Sequence, residues 1–189
     1  MLTAPPPNCT AVIDLIFVLD ASGSIDSSGF EQMKLLVSQI VNSLDIESDN
    51  VRVGLLTYST TVDARFNLST YSTRAQVRAA THEVTYSAGR TNTAEALAHV
   101  RQVMLQPAAG ARAHVPNVVV VMTDAGSTHK RATQVSFVTL LYYQRNVVIN
   151  YVLIRTHVCS KTHKILQPHF IAFSIGIRTR YPDPYTGSR

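Results

Sequence analysis

No stretch of this 189-residue chain reaches the roughly eighteen continuous apolar residues that a membrane-spanning helix needs, so no span is expected. Cysteine is scarce: Cys9 and Cys159 alone cannot make a disulfide framework. The opening MLTAPPPNC has no charged n-region or apolar h-region and breaks at Pro5, Pro6 and Pro7, so it does not read as a secretory signal. The chain is accordingly expected to be either cytosolic or a piece excised from something longer. There is no P-loop, no G-x-S-x-G and no Rossmann glycine fingerprint, which removes the commonest nucleotide and hydrolase signatures. Internal repeats and low-complexity tracts are also missing. Acidic residues are the minority, 12 against 17 Lys plus Arg, for a net charge of +5. The basic residues are scattered, with no basic run alternating with aromatics, so nucleic acid is not expected and the charge gives only a bias toward acidic partners.

With 46% hydrophobic residues the chain can bury one good core, and a single domain is expected. Val12 to Ser24, VIDLIFVLDASGS, is its organising stretch. A strand apolar at consecutive positions has both faces covered, so it belongs inside a parallel sheet with helices on either side. It stops at Asp20 and then offers the hydroxyls of Ser22 and Ser24. In open α/β sheets ligands bind beyond the carboxyl ends of the strands. Carboxylate and hydroxyl oxygens without His or Cys suit a hard cation such as Mg²⁺. Taken alone, these residues read rather as the caps of an ordinary strand-to-helix turn, because such turns are common.

Further along, Phe30, Met33, Val37, Ile40, Val41 and Leu44 recur at helical spacing. Val51 to Tyr58 reads as a strand, and Thr61 to Phe66 follows too closely for a crossover, which predicts an antiparallel edge hairpin. Helices are expected over Thr73 to Val84 and Thr93 to Met104, the second entered through the polar loop Gly89-Arg90-Thr91-Asn92. Val118 to Thr123 is another all-apolar strand, ending on Asp124. Beyond it, Thr133 to Arg145 is expected to be helical. Two strand candidates, Val147 to Ile154 and Phe170 to Ile177, then compete for the place beside Val118 to Thr123. The first has the better claim, since the preceding helix feeds it as a right-handed crossover. The second is left to the outer edge. His157, Cys159 and His163 have metal-like spacing but no fourth ligand, and read as surface residues. Cys9 and Cys159 are expected at opposite ends of the sheet and therefore unbridged.

Asp20-Ala21-Ser22-Gly23-Ser24, Thr91 in GRTNT and Asp124 in VVVVMTDAG together resemble the metal-ion-dependent adhesion site of the von Willebrand factor type A family. The phrases DLIFVLDASGSI and VRVGLLTYS look most like its extracellular-matrix branch, the matrilins and non-fibrillar collagens. The resemblance implies a Rossmann-like α/β fold, a central, mostly parallel sheet with one antiparallel edge strand and helices on both faces. It implies that Ser22, Ser24 and Thr91 touch Mg²⁺ or Mn²⁺ through their hydroxyls while Asp20 and Asp124 act largely through water. Neutral oxygens leave the cation's charge only partly neutralised, so an acidic side chain of a matrix or cell-surface protein supplies the missing ligand. Thr93 offers the same hydroxyl as Thr91, and Thr123 reads as a helix cap.

Two features depart from the family pattern. Ala125 stands before Gly126 where a glycine usually follows the acid directly, and the stretch 135–169 looks replaced or inserted. The expected organisation is a linker over 1–11, the type A domain over 12–177 and a polar tail over 178–189, in an extracellular protein. The other readings are a Mg²⁺-dependent hydrolase or phosphatase-like enzyme using Asp20, and an intracellular type A scaffold. No catalytic residue and no enzyme activity are assigned. Ser22 stands where a haloacid-dehalogenase-type motif needs a second carboxylate.

Overall fold

A computed structural model describes residues 11–124, 147–155 and 169–175. The expected helix Thr133 to Arg145, residue Ala125, the His157-Cys159-His163 group and the Cys9–Cys159 pair lie outside the described residues. The strands are β1 (Ile13–Asp20), β2 (Val51–Tyr58), β3 (Val62–Phe66), β4 (Asn117–Thr123), β5 (Val147–Arg155) and β6 (His169–Ile175). They form one sheet in the order β3-β2-β1-β4-β5-β6. β1 lies between β2 and β4, parallel to both, with Leu15 opposite Val53 and Val118. β5 adds on parallel to β4, so Val147 to Ile154 does take the contested place. The hairpin partner β3 is antiparallel at one edge, as expected. At the other edge β6 also runs antiparallel, so the sheet ends on an antiparallel strand at each side.

Alternation along β1 and its neighbours explains the layers. Leu15, Phe17, Leu19, Val53, Leu55, Val120 and Met122 face helices α1 (Ser27–Asn42) and α2 (Arg74–His82), meeting Phe30, Met33, Val37, Val41 and Val77. Ile16, Val18, Leu56, Tyr58, Val119 and Val121 face the other way, onto Leu97, Val100 and Met104 of helix α3 (Thr93–His99) and its continuation. Both faces are thus covered, which is why these strands read as unbroken apolar runs. The helix expected to run regularly to Met104 instead widens into a π turn over Val100–Met104, with Leu105 N–H donating to the Val100 carbonyl at 2.9 Å. The wider turn brings Val100, Met104 and Leu105 into the core together.

Local chemistry sets the helix ends. Asp26 caps α1, accepting from Gly29 N–H at 2.7 Å, and these hydrogen bonds hold its carboxyl below the usual range. The ammonium of Lys34, almost buried on α1, donates to the carbonyls of His82 and Val84, both at 3.0 Å, at the end of α2. A cation there satisfies carbonyls the helix leaves unpaired and complements its dipole.

At the amino end of β1 the structure holds an ion pair that the sequence did not announce. Asp14 is fully buried, and Arg112 closes on it with Nε at 2.8 Å and its own backbone N–H at 2.7 Å. The same guanidinium donates to the carbonyls of Asp49, Ile13 and Asn50. One side chain from the segment before β4 thereby ties three stretches of chain together at the amino end of β1.

Candidate metal site

The site grows from the end of β1. Asp20 is fully buried, and its Oδ1 accepts the N–H of Ser22 at 2.9 Å, which bends the chain as it leaves the sheet. The bend leaves Ser22 fully buried with its Oγ 3.1 Å from that of Ser24. Backbone bonds hold this loop to its neighbours: Ala21 N–H donates to the Tyr58 carbonyl at 2.7 Å and Gly23 N–H to the Gly89 carbonyl at 2.9 Å. The Tyr86 hydroxyl donates to the Ile25 carbonyl at 2.5 Å and lies 3.2 Å from that of Ser22.

The loop before α3 brings the third hydroxyl. Thr91 Oγ1 donates to Ser22 Oγ at 3.0 Å, while Thr93 turns into the core and donates to the Tyr58 hydroxyl at 3.3 Å. Thr91, not Thr93, therefore meets the serines. Gly89 makes the approach feasible, with φ at 106°; a Cβ there would lie 2.6 Å from Thr60 Oγ1, which accepts the Arg90 N–H. Gly89→Ala is expected to cost about 1–3 kcal/mol in urea unfolding and to weaken cation binding, because strain and clash fall on the loop carrying Thr91. Unchanged unfolding and cation titration curves would contradict this.

Two residues that the sequence did not assign to the site finish the surroundings of Asp20. Thr123, read beforehand as a cap, donates to Asp20 Oδ2 at 2.7 Å, and the buried Tyr58 hydroxyl donates to the same oxygen at 3.3 Å. Both end strands flanking β1, and a buried hydroxyl at a strand end needs a partner, which is the signal that could have found them. Asp124 stands just past β4, half-buried. Burial pushes the Asp20 carboxyl above its ordinary range; hydrogen bonds from Ser22 and Thr123 oppose this, and the charge of Asp124 adds to it.

This donor set fits a hard divalent cation. Oxygens at adjacent vertices around Mg²⁺, with metal–oxygen distances of about 2.1 Å, lie about 3.0 Å apart (2.1 × √2). The Thr91–Ser22 and Ser22–Ser24 hydroxyl separations are 3.0 and 3.1 Å. The negative charge of Asp20, with Asp124 close enough to act on it, would balance the charge of the cation.

The von Willebrand factor type A domain model matches residues 14–173. The chain belongs to the von Willebrand factor type A family. Among the type A domain's relatives, the collagen alpha-1(XX) chain of Mus musculus is 37% identical over 129 residues, 67% of this chain and 10% of that one. Matrilin-1 of Gallus gallus is 34% identical over 117 residues, 62% of this chain and 24% of that one. The type A domain thus spans a small part of these relatives, which are matrix proteins. In fold it is similar to proximal thread matrix protein 1 from the mussel byssus, with a TM-score of 0.69 at 23% identity, over 75% of this chain and 37% of that one. A structure of that protein with a zinc-occupied MIDAS motif matches with a TM-score of 0.66 at 25% identity, over 78% of this chain and 37% of that one. Among the described residues no helix is long and apolar enough to cross a membrane.

Proposed function

We propose that this type A domain is a cation-dependent adhesion module of the extracellular matrix, binding an acidic side chain of a protein partner. The observation that carries the reading is the chain of three hydroxyls, Thr91 to Ser22 to Ser24, at 3.0 and 3.1 Å. Ser22, Ser24 and Thr91 would hold Mg²⁺ or Mn²⁺ directly. When bound, the cation supplies a Lewis-acidic position for the partner's carboxylate. Asp20 has both oxygens engaged by Ser22, Thr123 and Tyr58, so it acts through its charge and the surrounding water. Asp124 adds the second negative charge from β4. The zinc-occupied motif of the mussel protein and the matrix relatives support the same assignment.

The enzyme alternative needs Asp20 to attack or to take a proton from a substrate. A fully buried carboxylate with both oxygens occupied is placed for orientation instead. The test is solid-phase binding to a panel of purified matrix proteins, in Mg²⁺, in Mn²⁺ and in chelator. Binding is expected only with cation, and Asp124→Ala is expected to remove it while leaving the circular dichroism spectrum intact. Equal binding in chelator and in Mg²⁺ would sink the reading. Added salt should weaken binding only modestly, since the contact is one coordinated carboxylate and not a broad charged patch.

A further inference from the structure

We propose that Arg90 receives a second carboxylate of the partner, so that the docking segment of the ligand is an acidic pair; this rests on the cation-dependent reading above. Arg90 immediately precedes Thr91, whose hydroxyl is part of the site, and its side chain is exposed. Its backbone is fixed at this spot by the N–H bond to Thr60 Oγ1 at 3.0 Å and by the Gly89 carbonyl that receives Gly23 N–H. The exposed Arg90 thus sits on a loop held at two points, next in the chain to a hydroxyl of the cation position.

The surroundings leave its charge available. Among the described residues no carboxylate pairs with Arg90. Glu95, the nearest acid in sequence, accepts from Asn92 Nδ2 at 2.6 Å at the start of α3. Asp26, across the site, is committed to capping α1 and to Ser28 Oγ at 2.8 Å. Among the described residues, Ser24, Thr60 and Ser87 of the same loops are exposed and neutral. A ligand whose first carboxylate meets the cation thus finds in Arg90 a fixed-charge donor, a planar fork suited to a second carboxylate. The net charge of +5 favours an acidic partner in the same sense.

The probes are glycine-serine host peptides carrying a single Glu, its Gln counterpart, or two Glu at a series of spacings, titrated by NMR against the Mn²⁺-free, Mg²⁺-loaded chain at low salt. The best-spaced pair is expected to bind about fivefold tighter than the single Glu, the upper end for a rim ion pair, with the gain shrinking as salt rises. Arg90→Ala should abolish that gain and leave both single-Glu binding and Mg²⁺ affinity in place, and Arg90→Glu should turn the gain into a loss. A gain that survives Arg90→Ala, or the absence of a gain at every spacing, would overturn the proposal. If the single-Glu peptide binds no better than its Gln counterpart, the cation reading itself fails and Arg90's role falls with it, a result the control separates from the others.

Discussion

Asp20→Asn is expected to abolish the stabilisation that a divalent cation gives this domain. Mn²⁺ at about 100 times its dissociation constant should add about 2.7 kcal/mol to the wild-type chain if the unfolded chain does not bind it. At about 2–4 °C per kcal/mol for a domain of this size, that is a rise of about 5–11 °C in melting temperature, against none in the variant. In chelator the order reverses. Burial raises the Asp20 carboxyl above its ordinary value, so the folded state favours its proton. This group's contribution to stability is fully present below the ordinary carboxylate range and is lost as pH rises through the raised value. The amide carries no such charge, so the cation-free variant should match or exceed wild type at neutral pH and lose that advantage in acid. Melting curves with Mn²⁺ and with chelator, taken across pH, would show both effects; an equal cation-induced rise in the two proteins would refute the assignment.

Arg112→Ala is expected to cost about 3–5 kcal/mol, the largest stability loss of any single change proposed, because it strands a buried carboxylate. Asp14 is fully buried, and the Arg112 guanidinium is its ion-pair partner at 2.7 Å. The same change also removes the guanidinium donor from the carbonyls of Ile13 and Asp49, while that of Asn50 keeps the Ile13 N–H at 3.0 Å. Asp14→Asn combined with Arg112→Ala should recover part of the loss, since the uncompensated charge is then gone. Urea unfolding of the two variants measures this directly, and a loss below about 1 kcal/mol for Arg112→Ala would mean that water replaces the guanidinium. The pair lies at the opposite end of β1 from Asp20, so the folded fraction of either variant should still bind Mn²⁺.

Much of this architecture was legible because it is written in periodicity. The doubly buried strands announce themselves as VIDLIFVL and VVVVMT, and the gap of Ser59 and Thr60 is too short for a crossover helix. The choice of Val147 to Ile154 as the neighbour of β4 followed from the expected right-handed crossover, and the register bears out the pairing. What stayed hidden depends on contacts between distant residues. Nothing local tells that Arg112 reaches Asp14, or that Tyr58 and Thr123 both aim at Asp20, since each is an ordinary residue for its own segment. The choice between Thr91 and Thr93 was equally closed to spacing: both are buried hydroxyls, and only the folded loop sends one to Ser22 and the other to Tyr58.

The pairing of β1 with β4 has a consequence for how the family's binding chemistry is inherited. Leu19 stands opposite Met122, which puts Thr123 and Asp124 against the end of β1 although they are more than a hundred residues away in the chain. A slip of one residue would carry Asp124 about 3.3 Å along the sheet and turn Thr123 to the other face. The apolar alternation that chooses the register therefore also acts as the ruler for the spacing of the oxygens at the proposed cation site. Mutational drift in the core, far from any oxygen donor, can detune the site while every one of its residues remains unchanged.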